Sequence, residues 1–167
     1  MKSRPLFSKA VAYGIYEGVL AEAIHHFKFQ GRKRLAKPLG TLLLNLDTPQ
    51  ADGIIAVPLS VKGLRDRGFN QSLLLARMLS RETNVPLLMD VLFKRKETPP
   101  QIGLTSKERL LNLKDSFTVK GGVEDLRLLL VDDVITTGAT VSECSKELMR
   151  AGAKEVTVIA LARAGLD

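Results

Sequence analysis

The chain has 167 residues, with 25 Lys and Arg against 18 Asp and Glu and a net charge of +7. That length supports one domain with a real core, and the 45% apolar content excludes a disordered chain. A single cysteine, Cys144, excludes an intramolecular disulfide or a cysteine-based zinc site, and the apolar stripe on which it lies predicts a buried thiol. No apolar run is long enough to span a bilayer and the N-terminus does not read as a signal peptide, so a cytoplasmic protein is expected. The positive charge implies an anionic partner: a phosphorylated small molecule, nucleic acid or a membrane surface. Six Phe, two Tyr and no Trp give little support to a base-stacking platform.

Read in order, Lys9–Tyr16 predicts a short strand and Val19–Phe29 a helix with Leu20, Ala23, Ile24 and Phe27 on one face. His25 and His26 are adjacent, so a helix points them in different directions, which does not favour a metal site. Residues 27–34, FKFQGRKR, form a basic turn that is either a solvated patch or a grip on phosphate. Leu35–Leu46 predicts a second helix with Leu39, Leu42, Leu43 and Leu46 inward. Ile54–Val57 is a buried strand, and the stretch from Pro58 to Ser72 that follows it reads as a polar loop. The carboxyl ends of strands in open α/β sheets face a common crevice. The arginines of this loop, Arg65 and Arg67, suit bidentate contact with a pyrophosphate. Asn70 or Ser72 starts a helix reaching about Arg81. Leu87–Phe93 predicts a strand, residues 94–103 a long exposed loop, Ser106 the cap of a short helix, and Asp115–Val119 a last short strand.

The most informative stretch is Leu126–Gly152. Leu128-Leu129-Leu130-Val131 does not alternate, as expected of a strand buried on both faces of a parallel sheet. Asp132 and Asp133 follow, then Val134-Ile135-Thr136-Thr137-Gly138-Ala139-Thr140, then a helix from about Val141 to Arg150 that Gly152 ends. Val156–Leu161 completes a βαβ unit. Hydroxyls, backbone N–H groups and a glycine at a helix N-terminus make an anion cradle. Two carboxylates beside it repel each other by about 3 kcal/mol at roughly 5 Å and an effective dielectric of ~20. The pairing is sensible for a ligand that carries both a phosphate and a diol, such as a ribose 5-phosphate, with Mg2+ offsetting the remaining charge. A Walker A lysine and a dinucleotide fingerprint are both absent.

This string resembles the phosphoribosyl-diphosphate (PRPP) signature of type I phosphoribosyltransferases. Phe27-Lys28-Phe29-x-Gly31, Val57-Pro58-Leu59-Ser60 with Arg65-x-Arg67-Gly68-Phe69-Asn70-Gln71-Ser72, Thr98-x-x-Gln101-x-x-Leu104 with Arg109 and Asn112, and Leu161-Ala162-Arg163 are similar to one branch, the ComF/GntX-like competence-protein family. The resemblance implies an α/β chain with the type I phosphoribosyltransferase fold: a mostly parallel sheet flanked by helices, with a small hood. One domain is expected over residues 1–167, with residues 1–50 packing on a core at 51–167. It implies Asp132, Asp133 and Arg109 as catalytic residues, and Thr136, Thr137, Gly138, Ala139 and Thr140 as the 5-phosphate loop. Ser60, Arg65 and Arg67 are implied at the pyrophosphate. Lys94, Arg95, Lys96 and Gln101 are implied in a mobile loop. Asp132 and Asp133 are also implied at Mg2+, directly or through water and substrate hydroxyls. One departure stands out: the family's N-terminal four-cysteine zinc element cannot exist in this chain, which has one cysteine.

Two functions remain open on the residues alone. One is an enzyme that transfers the phosphoribosyl group of PRPP to a nitrogen acceptor and releases pyrophosphate. The other is a non-catalytic PRPP or nucleotide-binding module acting in DNA uptake, with single-stranded DNA or competence-machinery proteins as partners. A homodimer is compatible with both.

Overall fold

The computed structural model describes residues 7–95, 113 and 115–165. In chain order the elements are β1 (Lys9–Ile15), α1 (Gly18–Phe29), a 3-10 turn (Lys33–Leu35), α2 (Ala36–Leu44), β2 (Gly53–Ala56), α3 (Val61–Arg67), α4 (Gln71–Thr83), β3 (Leu92–Lys94), β4 (Phe117–Val119), β5 (Arg127–Ile135), α5 (Ala139–Arg150) and β6 (Glu155–Arg163). Four strands form one sheet in the order β1-β6-β5-β2, and each neighbouring pair is parallel. β3 and β4 form a separate antiparallel ribbon.

The sequence dictates why β5 sits in the middle. Parallel strands buried on both faces read as continuous apolar runs, and residues 128–133 are all buried. Alternation sends successive side chains to opposite faces. Leu128 and Leu130 join a cluster with Val141, Cys144 and Leu148 of α5 and with Leu92 and Phe117 of the ribbon. Leu129 and Val131 join Ile24 and Phe27 of α1, Leu39 and Leu43 of α2, and Leu75 and Leu79 of α4. Each fully buried Leu, Ile or Phe contributes roughly 1.5–3 kcal/mol relative to exposure. The expected parallel sheet flanked by helices is therefore present, and Cys144 is buried as predicted.

Three expectations are corrected. The polar loop after Val57 contains α3, whose seven residues include none that is buried. With no core face, α3 has no apolar periodicity to betray it. It is held by its ends instead, where Ser60 caps it and Gly68 closes it at φ 75°. The strand expected over Leu87–Phe93 is broken: Leu87 makes a single parallel bridge to Ile54, the chain turns at Asp90 with φ 57°, and Leu92 starts the ribbon. The second helix is shorter than Leu35–Leu46, because its first turn is the 3-10 segment and Ala36–Leu44 alone is α-helical.

Candidate functional site

β5 ends at Ile135 and the chain enters α5 within Thr136–Gly138. Gly138 is the N-cap, at φ 75° and ψ 0°. An L side chain there costs energy, because its Cβ crowds the carbonyl oxygen in the left-handed region. Thr136 and Thr137 are exposed, Thr140 is half-buried, and Ala139 is buried. The Ala139 N–H donates to Thr137 Oγ1 at 3.4 Å, and the Ser142 N–H donates to the Gly138 carbonyl at 2.9 Å. The five residues expected to hold a phosphate thus stay together at the positive end of α5. A cavity of about 540 Å3 opens beside them, with Gly14, Ile15 and Arg163 on its other side.

Asp132 and Asp133 lie near the carboxyl end of strand β5, and both are buried, at 9% and 5% exposure. Their environments differ. Asp132 Oδ1 accepts from Ser72 Oγ at 3.1 Å and from the Asp133 N–H at 2.9 Å. Among the described residues nothing donates to its Oδ2. Asp133 is fully engaged: Oδ1 accepts from the Val134 N–H at 2.8 Å and from Lys28 Nζ at 3.1 Å, and Oδ2 lies 2.9 Å from the same ammonium. Burial pushes the Asp132 carboxyl up to about 7, the Asp133 charge adds to this, and Lys28 opposes both.

Lys28 itself is fixed at the backbone. Its carbonyl accepts from Gln71 Nε2 at 3.2 Å, and Gln71 Oε1 accepts from Arg67 Nη1 at 3.4 Å. Arg67 also lies over the Phe29 ring, 5.4 Å from its centroid. Lys28 thus contacts Asp133 through its ammonium and Gln71 through its backbone, and Gln71 in turn contacts Arg67. The sequence places Lys28 in a basic turn, offers Asn70 or Ser72 as the helix start, and gives Gln71 no separate role. In the structure Asn70 caps α4, its Oδ1 accepting from the Leu73 N–H at 3.3 Å, and its Nδ2 donates to the Val57 carbonyl at 3.0 Å. Ser72 is thereby left to bond Asp132. The one local signal for Lys28 is a charge between two aromatics, one position off the buried stripe of Ile24 and Phe27.

The other expected residues are placed unequally. Ser60 Oγ accepts from the Gly63 N–H at 3.1 Å, so it serves as the cap of α3. Arg65 is exposed. Lys94 and Arg95 lie at the end of the ribbon, where Arg95 Nη2 donates to Thr118 Oγ1 at 2.6 Å and Lys94 Nζ is 5.9 Å from the Phe117 ring centroid. Lys96, Gln101 and Arg109 fall outside the described residues. Burial pushes the Cys144 thiol well above its ordinary range, helped by the Asp132 charge, which makes it a packing residue and a poor nucleophile.

Comparison with known proteins agrees with this geometry. Residues 70–166 match the model of the phosphoribosyl transferase domain. Competence protein F of Haemophilus influenzae is 38% identical over 177 residues, covering 98% of this chain and 76% of that protein. The chain belongs to the phosphoribosyl transferase family, in its competence protein F branch. DNA utilization protein YhgH of Escherichia coli K12 is another member, 34% identical over 98% of this chain and 75% of its own length. The family fold extends to glutamine phosphoribosylpyrophosphate amidotransferase from B. subtilis, at 23% identity and a TM-score of 0.57, over 81% of this chain and 30% of that one. Among the described residues no helix is long and apolar enough to cross a membrane.

Proposed function

We propose that this chain binds PRPP with Mg2+ and transfers its phosphoribosyl group to a nitrogen acceptor. The observation that carries the reading is the juxtaposition of two buried carboxylates, Asp132 with an oxygen to which no described residue donates, with the Gly138-capped start of α5. A phosphate on the N–H groups of α5 and a diol on the carboxylates satisfy both halves of the site with one molecule. Mg2+ bound with the diphosphate supplies charge neutralisation to the leaving group. Asp132 Oδ2 is the oxygen best placed to hold it, directly or through water, since Asp133 already faces an ammonium.

In the reaction the acceptor nitrogen lone pair forms a bond to ribose C1 while the C1–O bond to the diphosphate breaks, with inversion. The electron pair leaves on pyrophosphate, and the acceptor loses its proton to water. The chain acts by positioning: Thr136–Thr140 fixes the 5-phosphate, and Asp132 and Asp133 fix the ring through its hydroxyls, close to the positive charge that develops there. Calorimetric titration of PRPP with and without Mg2+ tests the reading. Saturable, Mg2+-dependent binding supports it, and no binding overturns it.

A second reading is favoured by a separate surface. Phe29 is 59% exposed, lies under Arg67 and beside His25 at 5.1 Å, and adjoins exposed Arg32, Lys33 and Arg34. Aromatic and basic groups so arranged suit single-stranded DNA, and two relatives are named for competence and DNA utilization. Here PRPP binding without turnover, together with steeply salt-dependent binding of single-stranded DNA, is the expected result.

A further inference from the structure

Lys28 is the unusual member of the site. Its ammonium has three donors, and both of its observed contacts go to one carboxylate, at 2.9 and 3.1 Å. The Lys28 side chain is 20% exposed and that of Asp133 is 7% exposed, so the cation is the more solvent-accessible partner of the pair. Its backbone is tied to Gln71, which is 1% exposed, while a four-carbon stem leaves the head free to swing. The same glutamine accepts from Arg67, so one buried amide ties the Lys28 backbone to the Arg67 guanidinium.

We infer that Lys28 is an exchangeable counter-ion. It holds Asp133 in the arrangement seen here, and it delivers its ammonium to the diphosphate of the ligand once ribose hydroxyls donate to the carboxylate. The inference rests on the PRPP reading and deepens it. Hydroxyl donors take over the hydrogen bonds that Lys28 makes to Asp133. A half-buried ammonium left without an anion is unfavourable. A diphosphate supplies that anion. Selectivity for the diphosphate ester over ribose 5-phosphate alone is therefore built into a residue that lies far from Asp133 in sequence.

The test compares PRPP with ribose 5-phosphate by calorimetry in the presence of Mg2+, for the wild type and for Lys28→Met, Lys28→Gln and Lys28→Arg. Lys28→Met should weaken PRPP binding by about 10- to 100-fold, the worth of a charge-assisted bond, and ribose 5-phosphate binding far less. Lys28→Arg should restore most of the difference. Equal losses for both ligands would reduce Lys28 to a fixed structural partner of Asp133 and overturn the inference while leaving the PRPP reading intact. Should Lys28→Met not fold, Lys28→Gln keeps a donor to Asp133 without the charge and is expected to show the same ratio. A wild type that binds ribose 5-phosphate but not PRPP would overturn both.

Discussion

β5 and β2 leave the same edge of the same sheet, yet their exits treat polar groups in opposite ways. The exit of β5 is short, enters a twelve-residue helix, and leaves Thr136 and Thr137 exposed, with one weak bond from the Ala139 N–H to Thr137 Oγ1. The exit of β2 passes through α3, and apart from exposed Arg65 and Asp66 it uses polar groups internally: Ser60 caps α3, Asn70 caps α4 and ties back to Val57, and Arg67 rests on Phe29 and Gln71. On the proposed reading, the first exit receives the phosphate and the second mainly holds the scaffold beside it. A polar motif at a strand end is thus informative about binding only once its internal obligations are known.

Changes at β5 should be the most damaging. Asp132→Asn with Asp133→Asn removes two charged acceptors and should weaken PRPP binding by about 100-fold or more. Unchanged affinity in that variant would remove the carboxylates from the site. Gly138→Ala places a Cβ at φ 75° and should cost about 1–2 kcal/mol of stability, with a loss of phosphate affinity as the cradle shifts. A melting temperature within error of wild type would show that the loop is not held in this conformation.

The pH dependence separates the carboxylates further. The Asp132 carboxyl, raised to about 7 from 3.8, binds its proton more tightly in the folded protein than in the unfolded chain. Its contribution to stability is full below its unfolded value and is lost as pH rises through about 7. A ligand that needs the carboxylate shows the reverse: PRPP affinity should rise through the same interval, with proton release detectable as buffer-dependent binding heat. A flat profile would mean that Asp132 is already ionised or does not meet the ligand.

At β2 the smallest effects should divide by role. Ser60→Ala removes a cap and should cost about 1 kcal/mol, read as a lowered melting temperature, with little change in PRPP affinity. Arg65→Ala should leave melting unchanged and weaken diphosphate binding about 3- to 10-fold, as loss of one exposed charged contact. If Ser60→Ala instead strips affinity at constant melting temperature, the contrast between the exits collapses.

Much of this was legible from local pattern. The unbroken apolar run of β5, the Gly-containing loop and the helix that follows announced one another within a residue or two, because burial on both faces and a helix start each leave a local signature. The inward face of α1 was equally plain at Ile24 and Phe27. α3 was illegible because a helix with no buried side leaves no period to read. The pairing of Lys28 with Asp133 spans 105 residues, and no local rule connects them. Asn70 and Ser72 both fit the helix start by local pattern; Asn70 takes the role, and the bond of Ser72 to Asp132, 60 positions away, has no local signal.

The sheet order β1-β6-β5-β2 also has a temporal side. Ser8, just before β1, bonds to Val156 at the start of β6, 148 positions later. At a synthesis rate of roughly 5–20 residues per second, a nascent β1 waits on the order of ten seconds before its partner exists. During that interval β1 offers both edges to any extended chain, and the last-made strand decides when the sheet is complete.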